Sequence, residues 1–158
     1  MKKFISRIHR TILLSVVFLW LIIQTVFSAT TEGKTGLLPL GSLAPDFKLQ
    51  DVVSEKTFSR DDFKDKKALL VIFVCRSCPY VQNDIKGIVR LARDYTAKDI
   101  SIVSISSNDA ASYKEDAPKS LKEMVIKEGF PFVLLYDESQ KVAKAYTAVG
   151  MNVIFRWK

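Results

Sequence analysis

The chain has 158 residues, 48% of them hydrophobic and 26% charged, and a formal net charge of +7. That length suits one ordinary domain with its own core, and the composition excludes a low-complexity or disordered chain. Lys2, Lys3, Arg7 and Arg10 put four positive charges and no acid into the first 28 residues, so residues 29–158 carry only +3, too little to argue for a nucleic-acid partner.

The first 28 residues run from this basic stretch into the uncharged segment Thr11–Phe27 and end near the small residues Ser28, Ala29 and Thr30. That is the pattern of a signal peptide. A 17-residue apolar run is also at the lower limit for crossing hydrocarbon, so an N-terminal membrane anchor through residues 11–27 fits as well. Either expectation places the rest of the chain outside the cytoplasm, in a periplasmic or other extracytoplasmic space.

Residues 29–43, with Gly33, Gly36, Pro39 and Gly41, read as a linker, and residues 44–158 as the domain. Ala44–Leu49 and Lys56–Ser59 read as two short strands about a turn, and Asp61-Asp62-Phe63 as the start of a helical turn. Ala68–Val74 is a continuous apolar run, expected of a strand buried on both faces. The spacing of Ile85, Ile88, Val89 and Ala92 predicts a helix from Pro79 to about Thr96. Asp99–Ser106 reads as a second buried strand, Asp109–Gly129 as helix in two pieces divided by Pro118, Phe132–Tyr136 as a third strand and Glu138–Tyr146 as a short helix. This alternation predicts an α/β fold with a parallel centre and helices on both faces of the sheet.

Both cysteines of the chain lie in Cys75-Arg76-Ser77-Cys78-Pro79, between the first buried strand and the helix. A strand turning into a helix brings two thiols at this spacing within disulfide reach. The unpaired N–H groups and positive pole of a helix N-terminus favour thiolate over thiol, and Arg76 adds a neighbouring cation. On this reading Cys75 and Cys78 form a reactive dithiol at the carboxyl end of a central strand, where such sheets carry their sites. The other readings are two small core residues or a soft ion such as Cu(I) on two thiolates. A structural zinc site lacks ligands, because the only histidine, His9, is in the leader. No metal and no cofactor are expected.

Several strings resemble one family in order. Gly41-Ser42-Leu43-Ala44-Pro45-Asp46-Phe47 is similar to the G-x-x-A-P-x-F entry of redoxins, the group of peroxiredoxins and membrane-tethered thiol–disulfide oxidoreductases. Leu69–Val74 followed by Cys75-Arg76-Ser77-Cys78-Pro79-Tyr80-Val81 resembles a peroxiredoxin-like subgroup with a C-x-x-C-P-Y-V signature. Ser106-Ser107-Asn108-Asp109, Gly129-Phe130-Pro131-Phe132 and Tyr136–Gln140 with Val142–Tyr146 continue it, from Gly41 to about Val149. The resemblance to the alkyl hydroperoxide reductase and thiol-specific antioxidant type implies a thioredoxin-like fold with a central mixed sheet. It departs at two places. The cis-proline loop of redoxins matches residues 148–153, which hold no proline, and the chain stops at Lys158, so the closing C-terminal hairpin and helix are expected to be incomplete.

In the thioredoxin register Cys75 attacks and Cys78 resolves; in the peroxiredoxin register Cys78 reacts with peroxide. Pro79 favours the first helical position, which would make Cys78 the cap and give it the larger dipole benefit. The resemblance implies dithiol–disulfide exchange with a protein or small-molecule thiol or disulfide and a reductant donor protein. Peroxide reduction is the alternative. It is disfavoured by Val71, where the peroxidase pattern has a proline, and by the absence of an arginine over Gly150–Asn152. An inert, tethered redoxin-like binding module is the third reading. Tyr80, beside the pair, is a candidate for the substrate groove.

Overall fold

The structure is a computed structural model and describes Leu38 and residues 42–148. The expected signal or anchor over residues 1–28, nearly all of the linker, and the closing segment from Val149 onward lie outside the described residues, as does all but Ala148 of the stretch matched to the cis-proline loop.

Among the described residues five strands and three helices follow in order: β1 (Lys48–Asp51), β2 (Thr57–Ser59), β3 (Ala68–Phe73), α1 (Pro79–Thr96), β4 (Ile100–Ser106), α2 (Pro118–Glu128), β5 (Val133–Tyr136) and α3 (Lys141–Ala145), with 3-10 turns at Arg60–Phe63 and Lys114–Asp116. The sheet order is β2-β1-β5-β4-β3. The strands β3, β4 and β5 are parallel, as the alternation with helices demands, while β1 runs antiparallel to both β2 and β5. The mixed α/β sheet is therefore as expected. The position of β3 is not: among the described residues it is an outer strand, with only β4 beside it, rather than a central one.

Side chains along the strands alternate between two cores. On one side Ile72, Val74, Ile102 and Leu134 meet Val81, Ile85 and Ala92 of α1 and Leu121, Met124 and Val125 of α2. On the other Leu69, Val71, Phe73, Val103, Ile105 and Leu135 meet Phe47 and Tyr146, edged by Phe58, Phe63 and Val142. Burial on both faces explains why β3 reads as an unbroken apolar run. The α1 stripe Val81, Ile85, Val89, Ala92 is the buried face of an otherwise exposed helix. Gly129 ends α2 in the left-handed region, φ 65°, so that its own N–H and that of Phe130 both reach the Val125 carbonyl.

Three boundaries differ from the sequence reading. Ala44–Phe47 is irregular although Ala44 and Phe47 are buried; Pro45 has no N–H for a strand ladder, and the Ala44 carbonyl takes the Arg60 guanidinium at 2.6 Å. The first part of the helix expected from Asp109 is a turn followed by the 3-10 segment. Asp109 accepts the Ala111 N–H at 3.0 Å and the Ser112 hydroxyl at 2.7 Å, bonds that compete with helix. The last helix begins at Lys141 rather than Glu138, because the buried Asp137 carboxylate gathers the Ser139 hydroxyl and the Ala143 N–H.

Candidate functional site

The pairing of β3 with β4 continues one residue past Phe73, through the Val74 N–H to the Ile105 carbonyl at 2.9 Å. The chain then leaves the sheet and turns, the Cys78 N–H meeting the Cys75 carbonyl at 3.4 Å, and enters α1. Cys78 is the N-cap residue, with extended backbone at φ −79° and ψ 119°, and Pro79 is the first helical residue, where its missing N–H costs no helical bond. The first intrahelical bond runs from the Gln82 N–H to the Cys78 carbonyl at 3.1 Å. The helix boundary is thus where the apolar spacing and Pro79 put it.

The turn makes the two sulfurs unequal. The backbone N–H groups of Val81 and Tyr80, which have no carbonyl partner in the helix, point at the Cys78 sulfur and hold its thiol below the ordinary range against the opposing effect of burial. Cys75 is pushed up to about 12, by burial first and then by its hydrogen bond to, and the charge of, Cys78. Both cysteines are free and partly buried, and the Cys75 thiol donates to the Cys78 sulfur. When such a pair loses one proton, the negative charge falls on the sulfur at the helix cap.

Asp116, from the 3-10 turn before α2, lies against this loop with no exposed surface. One carboxylate oxygen accepts the Arg76 N–H and the Ser77 N–H; the other accepts the Ser77 hydroxyl at 2.6 Å and the Asn108 amide at 2.8 Å. Its charge raises both cysteines. The Arg76 guanidinium turns to the Ser120 carbonyl and to Glu123 at 3.3 Å, both on α2, and so ties the loop to α2. Tyr80 is exposed at 73% of its surface, on the rim of the dithiol. On the other side of Arg76 a cleft of about 570 Å³ lies between α1 and α2, lined among others by Gln82, Ile85, Glu123 and Met124.

The structure thus brings Cys75, Cys78 and Pro79 together as read from sequence. It adds Asp116, Ser77 and Asn108, which the sequence reading did not single out as site residues. The available signal was topological: β3 and β4 are adjacent and parallel, so the loops leaving their carboxyl ends share one edge of the sheet. Among the described residues no cluster of histidine, cysteine and acidic side chains is arranged to hold a metal ion.

Comparison with known proteins agrees with this geometry. The AhpC/TSA family model matches residues 40–156. The chain belongs to that family. Chloroplastic peroxiredoxin Q of Triticum aestivum is 30% identical over 119 residues, which are 75% of this chain and 51% of the wheat protein. A conserved protein from Geobacillus kaustophilus, known by crystal structure, is 43% identical with a TM-score of 0.70 over 72% of this chain and 60% of that one. The chain therefore spans between half and two thirds of the length of these two relatives. The thioredoxin domain of a thiol-disulfide oxidoreductase from Bacteroides vulgatus, 20% identical, superimposes with a TM-score of 0.62 over 75% of this chain and 81% of that one, so the fold is thioredoxin-like. The redoxin resemblance carried by the sequence strings is borne out.

Proposed function

We propose that the protein is a thiol–disulfide oxidoreductase of the AhpC/TSA family in which Cys78 attacks and Cys75 resolves. The observation that carries this reading is the inequality of the two sulfurs, with the lowered thiol at the helix cap and the raised one behind it. The Cys78 thiolate attacks one sulfur of a substrate disulfide, forming a mixed disulfide and releasing the other sulfur as thiolate. Loss of the Cys78 charge then removes one of the causes that keep Cys75 protonated. Cys75 gives up its proton to solvent, attacks the Cys78 sulfur and expels the second substrate thiolate, leaving a Cys75–Cys78 disulfide. Two electrons have passed to the substrate, and an external dithiol donor returns them. This order of attack is the reverse of the thioredoxin register.

The mixed disulfide tests it. With an oxidised peptide, Cys75→Ser should accumulate peptide on Cys78, whereas Cys78→Ser should accumulate none. Trapping on Cys75 instead would overturn the assignment. Peroxide reduction is the second reading, favoured by the cap position of Cys78, the residue that faces peroxide in the peroxiredoxin register, and by the relation to peroxiredoxin Q. It predicts rapid sulfenic acid on Cys78 at low peroxide and consumption of peroxide coupled to an added dithiol.

The N-terminal pattern supports an extracytoplasmic placement of the domain, by export or by an anchor at residues 11–27. Among the described residues no helix is long and apolar enough to cross a membrane, so the leader alone carries this proposal. A reporter active only outside the cytoplasm, fused after Lys34, should give signal; a reporter active only inside would contradict it.

A further inference from the structure

A buried carboxylate beside a dithiol is costly unless its oxygens are satisfied. Asp116 meets that condition with four donors, and three of them belong to the C-x-x-C loop itself: the N–H groups of Arg76 and Ser77 and the Ser77 hydroxyl. The fourth, Asn108, comes from the loop after β4. One side chain therefore ties together the turn between the cysteines, about 40 residues before it in sequence, and the loop after β4, 8 residues before it. It does so from inside, with no exposed surface of its own.

We propose that Asp116 is the positioning residue of the dithiol: its buried carboxylate fixes the Cys75–Cys78 turn and sets a negative charge beside it that opposes the positive end of α1. Resting on the dithiol reading above, this assigns the balance of the site to two opposed fields. The helix N–H groups stabilise charge on Cys78, and Asp116 limits it. The other charged or ionisable groups about the turn do not replace either field. The Arg76 guanidinium is directed to Ser120 and Glu123 on α2. On β5 the Tyr136 phenol is held up chiefly by burial and Glu138, with a smaller effect of Asp116. Charge within a few ångströms of a thiol in a partly desolvated site acts strongly on it.

The test is a titration of both thiols in the reduced full-length chain by pulsed alkylation. Trypsin cuts after Lys67, Arg76 and Lys86, so Cys75 and Cys78 fall in separate peptides and are read separately. Asp116→Asn keeps the shape of the side chain and removes its charge. It should move both titrations to lower pH, by about one unit. Asp116→Glu restores the charge and should return them toward the wild-type values. Titrations of Asp116→Asn that coincide with wild type would overturn the proposal, because an anchor without an electrostatic role predicts lost stability alone. Should Asp116→Asn fail to fold, Arg76→Ala decides the matter, since it keeps the backbone bond to Asp116 and deletes only the guanidinium; trypsin then leaves both cysteines on peptide 68–86, and fragmentation of that peptide reads each one. Unmoved titrations support the carboxylate as the governing charge; a rise in Cys78 of about a unit would hand that role to the arginine. Alkylation reads the thiols whether or not they turn over, so failure of the exchange reading appears separately, as an absence of mixed disulfide in Cys75→Ser.

Discussion

The two cores of the sheet are built from similar aliphatic side chains and differ in what stands at their upper edge. On the Tyr146 side the packing closes on itself. Phe73 lies 5.7 Å from Tyr146 between ring centres, and the Tyr146 hydroxyl donates to the Pro45 carbonyl at 2.6 Å, pinning the irregular segment before β1. The side under α1 and α2 ends in a polar loop. Above Val74 and Val81 sit two free thiols, a buried carboxylate and an arginine held by α2. One face thus works as a foundation, and the other supports and orients a charged turn. The difference teaches that buried apolar pattern alone does not locate a site; two thiols at a helix cap, with a buried carboxylate tied to the turn between them, do.

The widest separation between the faces should appear in turnover. Cys78→Ser removes the group at the helix cap, and disulfide exchange should fall to background while urea unfolding changes little; residual turnover carried by Cys75 would break the assignment. On the closed face, Phe73→Ala should lower stability by about 3–5 kcal/mol in urea unfolding, yet leave the alkylation of Cys78 under native conditions as in wild type. If Cys78 reactivity shifted as well, the two faces would not be separable. Leu121→Ala under the dithiol should cost about 2–5 kcal/mol and also loosen α2, which holds Arg76 through Ser120 and Glu123. Alkylation of the partly buried Cys75 should accelerate in that variant and not in Phe73→Ala.

The smallest effect sharpens the comparison by pH. Burial raises the Tyr146 phenol well above its ordinary value, so the stability it contributes is complete below the unfolded value, about 10, and is lost as pH rises toward the folded one. Tyr146→Phe should cost about 1 kcal/mol at neutral pH through the lost bond to Pro45, and should unfold less readily than wild type on alkaline titration relative to that starting point. An unchanged alkaline limit would show that Tyr146 does not govern it; Cys75 and Tyr136, also raised, are the remaining candidates.

Much of this was legible in the chain. Helix α1 begins and ends where Pro79 and the Ile85, Val89, Ala92 spacing put it, because proline and a long amphipathic stripe are local signals. Strand β3 was legible from a run without a polar residue to break it, and β4 from its β-branched Ile100, Ile102, Val103 and Ile105. What local pattern does not carry is neighbourhood. The outer place of β3 depends on which strands pair, and Asp116 meets Arg76 only because two loops leave adjacent parallel strands. A charged residue two positions before Pro118 reads as an ordinary helix start until that topology is known. The direction of the Arg76 guanidinium was not legible for the same reason, since its partners Ser120 and Glu123 lie over 40 residues away.

The most direct test of the account is the pH dependence of alkylation for each cysteine in the reduced wild-type chain, read on the separate tryptic peptides 68–76 and 77–86. Cys78 should become reactive below the pH of an ordinary thiol, roughly 8.5, and Cys75 should stay unreactive until far above it. The opposite order, with Cys75 reacting at the lower pH, would contradict the placement of the thiolate at the cap of α1 and with it the direction of the proposed chemistry.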